Sequence, residues 1–330
     1  MKKIFFSILA IAAVVSCAKT EEVLNEVDSE IKLAPIATLQ TKANVLAAIE
    51  GTEYPKAENF DVYGYWKNVG EGLTYTDGKP YFGDNGVEFV NKGAYWGGAK
   101  TYYWPKNGAL RFAAYSPSSL DVTHSQEGDT FSCAYTQPSK TNETWDFLVA
   151  PTSKSYTAMT ATENVSIVFE HALSWITLKV KAEDATAADV FTVKSVTINN
   201  VNTTADFKAA MLDKDMVDYE SWSNWGAPTG YKVYSDDEQI VTSEPTVIET
   251  VPAGTLVIPQ KTTSVTVVFD QAGINGAADM EDMELTLSLA LNKQDEPWRP
   301  GYHYIYTLTF GLDEILINPS VDTWEEYKWN

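Results

Sequence analysis

The sequence predicts an all-β chain of the sandwich type, on three observations. Apolar residues recur with period two in segment after segment, turn signals stand between those segments, and the strand–helix alternation that builds parallel sheets is missing. The composition agrees, with 10 Trp, 18 Tyr and 13 Phe among 330 residues but only 3 His and 2 Cys. Aromatics suit pleated strands, and so few His and Cys leave little material for metal or thiol chemistry. At 44% hydrophobic content the chain is long enough for two domains, each with a buried core. The balance of 24 Lys and Arg against 45 Asp and Glu gives a formal charge of −21, which repels a phosphate backbone and argues against nucleic acid as a partner.

The N-terminus sets the compartment. Lys2 and Lys3 precede an apolar run from Ile4 to Val15, and Val14-Val15-Ser16 then lead into Cys17. A basic start and an apolar run too short to span a bilayer read as a secretory signal. Small residues before a cysteine resemble a bacterial lipobox, cleaved between Ser16 and Cys17, with Cys17 lipidated and anchored in the outer membrane. Residues 1–16 are then a lipoprotein signal peptide, and the mature chain keeps 22 bases against 45 acids. Residues 17–30 read as an acidic tether, whose Ala18-Lys19-Thr20-Glu21-Glu22 resembles the export tag of surface-displayed lipoproteins in some Gram-negative bacteria. Cys133 is then the remaining thiol, so no intrachain disulfide is expected despite export.

The strands follow in order. Phe131-Ser132-Cys133-Ala134-Tyr135 alternates, with Cys133 on the Phe/Tyr face as a buried, inert thiol. Val165, Ile167, Phe169, His171 and Leu173 share one face, after which Trp175, Ile176, Leu178 and Val180 shift the register; a bulge near Ser174 accounts for the shift. Residues 203–220 are the one place for a weak helix. Leu285, Leu287, Leu289 and Leu291 alternate with polar or small residues, and Tyr302, Tyr304, Tyr306, Leu308 and Phe310 alternate with His303, Ile305, Thr307 and Thr309. Turns are marked by Asp77-Gly78, Asp84-Asn85-Gly86, Lys106-Asn107-Gly108, Pro252-Ala253-Gly254 and Arg299-Pro300-Gly301. A small, polar stretch at residues 152–157 sets the domain boundary, giving an N-terminal sandwich over 31–160 and a C-terminal one over 161–330.

Catalytic chemistry finds little support, and no enzymatic activity, metal or cofactor is expected. His124, His171 and His303 lie far apart, with no ligand pair on one element. There is no G-x-S-x-G elbow, P-loop or dinucleotide fingerprint. The acidic stretches 236–238 and 279–284 lack calcium-loop spacing and read as solvated turns. A carboxylate pair on a sandwich can cleave glycosides, but among 45 acids any pair would be arbitrary. The aromatic clusters carry more: Tyr65, Trp66, Trp96, Trp222 and Trp225 are candidates for stacking on a sugar or protein partner. Neighbouring aromatics in a strand point to opposite faces, so about half of each cluster belongs to a core.

Several segments together resemble the fimbrillin family, the subunits of lipoprotein-derived (type V) pili of Gram-negative anaerobes. They are the lipobox at Cys17, Glu30-Ile31-Lys32-Leu33 leading to Thr41-Lys42-Ala43, Phe60 to Trp66, Tyr103 to Pro117, Trp145 to Ala150, Val165 to Leu173, Leu256 to Gln260, Trp298 to Tyr306 and Val321 to Trp324. The resemblance implies two transthyretin-like β-sandwich domains in tandem and polymerisation by donor-strand exchange. In that scheme a surface protease removes the N-terminal strand, and a strand of a neighbouring subunit fills the groove it leaves. Here Ile31, Leu33, Ile36 and Leu39 would be the removable strand, within residues 31–42, and Lys42 the cleavage site. No arginine precedes Arg111, so either the protease accepts lysine or the chain is never clipped. Ile315, Ile317 and Val321 mark either the donor or the last strand of their own domain, and the two stay open. The implied function is a fimbrial subunit or tip adhesin at the cell surface, or in the fimbrium once assembled, with other fimbrial subunits as partners and host or bacterial glycans or proteins as further ones. The alternative is a glycan-binding outer-membrane surface lipoprotein that uses its exposed Trp and Tyr.

Overall fold

The computed structural model describes residues 26–37, 54–68, 78–138, 145–158, 164–211, 217–235, 238–248, 255–261, 263–290 and 296–323. Among these residues the chain is all-β, with a single 3-10 turn at Tyr219–Ser221. The sequence expectation of class is met.

In the N-terminal half the strand pairings close on themselves. From Phe60–Lys67 the neighbours run through Val87–Asn91, Trp96–Gly98, Leu33–Ala37, Val165–His171, Leu148–Ala150 and Ala109–Ser116, and the last pairs back with Phe60–Lys67. Alternation explains what fills this ring: Phe60, Val62, Phe89, Phe112, Phe169 and Leu33 are fully buried in one core. Phe60 meets Phe169 edge to face at 5.4 Å, a favoured arrangement of ring quadrupoles. Gly108 closes the turn into Ala109–Ser116 with φ +93°, where a Cβ would run into the Trp66 indole.

The other face of these strands carries Tyr63, Tyr65 and Tyr115 into a second core. A four-stranded sheet covers it, in the order Trp222–Ser223, Thr204–Ala210, Thr130–Thr136, Thr123–Ser125. Its inward residues include Phe131, Tyr135, Phe207 and Trp222, all buried.

The C-terminal half is a sandwich of two sheets around a third core. One sheet orders Thr246–Val247, Ser174–Ala182, Tyr302–Phe310 and Ile315–Thr323; the other orders Pro228–Tyr234, Phe191–Asn202, Ser264–Gln271 and Met280–Ser288. Trp298 donates its indole N–H to the Tyr306 hydroxyl at 2.8 Å, which in turn donates to the Leu289 carbonyl at 3.0 Å, so the buried polar atoms of both rings are satisfied.

Two details depart from the sequence reading. The register change at Ser174 is no bulge: Val165–His171 ends in the ring and Ser174–Ala182 begins in the sandwich, so the chain changes sheets there. The two stretches of chain stay joined beyond that point, since Thr204–Ala210 pairs with Thr130–Thr136. Among the described residues of 203–220 the chain forms a strand, Thr204–Ala210, and enters the 3-10 turn at Tyr219–Ser221, with no α-helix. Ala205, Phe207 and Ala209 are buried in alternation, and burial on a period of two outweighs the helix propensity of alanine and lysine.

Candidate functional site

The strand Leu33–Ala37 is the piece of the ring nearest the N-terminus. It runs parallel to Val165–His171 over five residue pairs, from Leu33 opposite Val165 to Ala37 opposite Phe169, and meets Trp96–Gly98 at the pair Leu33–Trp96. Ile31 and Leu33 are 1% and 0% exposed, so their side chains fill pockets of the ring core. The Ile31 N–H donates to the Tyr102 carbonyl at 2.8 Å, and the Val165 N–H to the Lys32 carbonyl at 2.9 Å. Pro35 is tolerated because beyond Leu33 the second flank has no ladder, which leaves the proline at a locally open edge. Pro35, not Ile36, shares the inward face with Leu33; Ile36 sits half-buried on the opposite face, as the pleat requires. Leu39, Lys42, Ser16 and Cys17 lie outside the described residues.

Just upstream, Glu26–Glu30 pairs with Tyr103–Pro105. Glu30 accepts a hydrogen bond of 2.8 Å from the Tyr95 hydroxyl, which raises the Tyr95 pKa. The Lys32 ammonium lies 4.8 Å from the centre of the same ring.

The C-terminal strand Ile315–Thr323 pairs with Tyr302–Phe310 at nine positions, from Ile315 opposite Phe310 to Thr323 opposite Tyr302. Among the described residues it ends its sheet, with no strand paired on its other flank. Ile315 and Ile317 are half-buried against the sandwich core, while Leu316 and Val321 are 45% and 44% exposed. Val321 lies on the same side of the pleat but beyond the packed core.

Of the five aromatic candidates, three are core residues and present no face to a ligand. Tyr65, Trp96 and Trp222 are buried, each tied by its polar atom: the Tyr65 hydroxyl to His124 Nδ1 at 2.6 Å, the Trp96 indole to the Glu58 carbonyl at 3.3 Å, and the Trp222 indole to the Ala172 carbonyl at 3.1 Å. Trp66 is half-buried and bonded to the Asn107 carbonyl at 2.8 Å. Trp225 is likewise half-buried, against the edge of the second core, and is stacked on Tyr219 with ring centres 5.9 Å apart. Tyr219, which the sequence reading did not single out, is therefore the companion of Trp225. Its signal was the spacing of three in Tyr219, Trp222 and Trp225.

The histidines are structural in their surroundings. His171 Nδ1 and the Asp146 carboxylate are 2.9 Å apart in a buried pair. His124 Nε2 lies 2.6 Å from Asp129, whose carboxylate also accepts the Thr152 N–H and hydroxyl at 2.7 Å each. His303 lies flat on Trp175, centres 3.6 Å apart, and burial lowers its pKa to about 3. Cys133 is half-buried opposite Phe207, and burial pushes its thiol up to about 12, far from a nucleophile's range. Among the described residues no three His, Cys, Asp or Glu side chains are grouped to hold a metal, and no helix is long and apolar enough to cross a membrane.

A fold of this kind has known counterparts. It is similar to a fimbrial protein from Bacteroides vulgatus (14% identity, 89% of this chain and 99% of that one, TM-score 0.59). It is also similar to candidate cell adhesion proteins from Bacteroides uniformis (16% identity, 90% and 100%, TM-score 0.54) and Bacteroides ovatus (15% identity, 91% and 99%, TM-score 0.53). No curated protein matches the sequence. A family model described as fimbrillin-like matches residues 41–324, most of the length over which the ring and the sandwich are built. The chain belongs to the fimbrillin-like family.

Proposed function

We propose that this protein is a non-enzymatic fimbrial subunit, lipidated at Cys17 and displayed on the outer membrane, which joins its neighbours by donor-strand exchange after cleavage at Lys42. The carrying observation is that the strand completing the N-terminal ring, Leu33–Ala37, lies on the N-terminal side of Lys42. Its removal would uncover the edges of Val165–His171 and Trp96–Gly98 and empty the pockets of Ile31 and Leu33. Each vacated apolar pocket is worth roughly 1.5–3 kcal/mol to a side chain that fills it, and the open edges offer a ladder of main-chain hydrogen bonds.

The C-terminal strand suits that vacancy. Ile315-Leu316-Ile317-Asn318-Pro319 repeats the pattern of Ile31-Lys32-Leu33-Ala34-Pro35: two branched aliphatics two residues apart, then a proline two further on. A strand at a sheet edge breaks one ladder on leaving, not two, which favours Ile315–Thr323 as the donor. We read the chain as a tether, a removable strand and two domains, of which the first accepts a strand and the second supplies one.

The test is to treat the mature chain with a trypsin-like protease. Cleavage before Ala43 is expected to produce ladders that resist sodium dodecyl sulfate, and Lys42→Gln should keep the chain monomeric. A chain cut after Lys42 that stays monomeric would overturn the reading.

A further inference from the structure

The 3-10 turn at Tyr219–Ser221 and the loop that ends in Trp225 pack at the junction of the four-stranded sheet and the C-terminal sandwich. Tyr219 divides two concavities there, of about 450 and 440 Å³, and lines both. These volumes fall in the range of small-ligand sites, roughly 300–1,000 Å³.

The first concavity is bordered by Asp218, Glu220, Arg299 and Tyr302, the second by Asn200, Trp225 and Lys261. Proline stands at each rim, Pro297 and Pro300 on one side and Pro228 on the other, which limits how far the walls can move. The Tyr219 and Trp225 rings are stacked, 22° from parallel with centres 5.9 Å apart, and both are half-buried, so Tyr219 gives an aromatic wall to both concavities and Trp225 one to the second. Around them the polar groups are mixed in kind: acids, cations and an amide. An aromatic wall edged by both donors and acceptors is the surface that a pyranose ring needs, with its C–H face on the aromatics and its hydroxyls on the rim. Acids and cations on the same rim select neither a polyanion nor a polycation, and a chain with a formal charge of −21 disfavours the polyanion further.

We propose that the groove on both sides of Tyr219 binds a neutral oligosaccharide, with Tyr219 and Trp225 as the stacking walls and the two concavities as successive sugar subsites. This goes beyond assembly: neither Tyr219 nor Trp225 pairs with either strand of the exchange.

The mature chain is titrated with tetrasaccharides of xylose, glucose, mannose and galactose, each neutral, and followed by tryptophan fluorescence and calorimetry. At least one is expected to bind at millimolar concentration or below, and a disaccharide of the same sugar to bind more weakly. Trp225→Ala and Tyr219→Ala should each weaken binding about tenfold, while Trp225→Phe keeps most of it. Thermal melting of each variant shows that it is folded. Binding that survives both alanine substitutions in folded protein overturns the site, as does the failure of all four sugars. Capture of a proline-rich peptide by the same two residues in place of a sugar overturns the ligand class. Ladder formation by cleaved Trp225→Ala should match the parent, so the assembly and sugar readings fail separately.

Discussion

At the residue scale, environment decides what each ring does. His303 is an example: an unfolded histidine titrates near 6.5, but the folded one, buried and stacked on Trp175, has a pKa of about 3. Protons bind the unfolded chain more readily between these values, so the fold loses stability as pH falls from 6.5 toward 3 and keeps it above 6.5. His303→Gln retains a hydrogen-bonding partner for the Thr177 hydroxyl, 2.9 Å away, but has nothing to titrate. Denaturant midpoints measured at pH 7 and pH 4 are expected to fall less in the variant than in the parent; an equal fall would show that His303 titrates normally. The aromatics teach the same lesson about legibility. The sequence indicated that Trp and Tyr would divide between core and surface, but Trp222 and Trp225, three residues apart, belong to one core, the first fully buried and the second half-buried at its edge. What separates them is that Trp222 packs among Tyr135, Phe147 and Phe207, side chains brought in by other strands.

At the element scale, the period-two pattern located Val165–His171, Tyr302–Phe310 and Ile315–Thr323 well, because each has one face on a core and one away from it. It did not say which strand lies beside which. Leu33 and Val165 are opposite each other across more than a hundred residues of chain, and alternation is blind to partners. The exchange proposal depends on one such partnership being breakable. Thr307 and Asn318 stand opposite each other in the C-terminal ladder, on the face away from the core. Directly opposed residues lie close enough for a disulfide. A Thr307→Cys, Asn318→Cys chain, oxidised, is therefore expected to hold Ile315–Thr323 in its own sheet and to remain monomeric after cleavage at Lys42, and dithiothreitol should restore the ladders. Ladders that form equally well with the disulfide closed would assign donation to another segment.

At the scale of the whole molecule, charge opposes the association that the strands favour. A chain cleaved after Lys42 still carries 40 acids against 19 bases, so each subunit approaches its neighbour against a net charge of −21. Apolar pockets and a hydrogen-bonded ladder act over a few ångströms, whereas this repulsion reaches about 30 Å at 0.01 M salt and about 8 Å at 0.15 M. Repulsion over the longer distance slows encounter without loosening the strand once seated, since a strand buried in the ring is shielded from the screening ions. Ladder formation by the cleaved chain should thus accelerate several-fold between about 10 and 150 mM sodium chloride. Ladders already formed should persist when returned to low salt. Time courses sampled on denaturing gels separate the two effects. A rate that falls as salt is added would mean that oppositely charged patches steer the subunits together, and that the excess of acid lies away from the surfaces that meet.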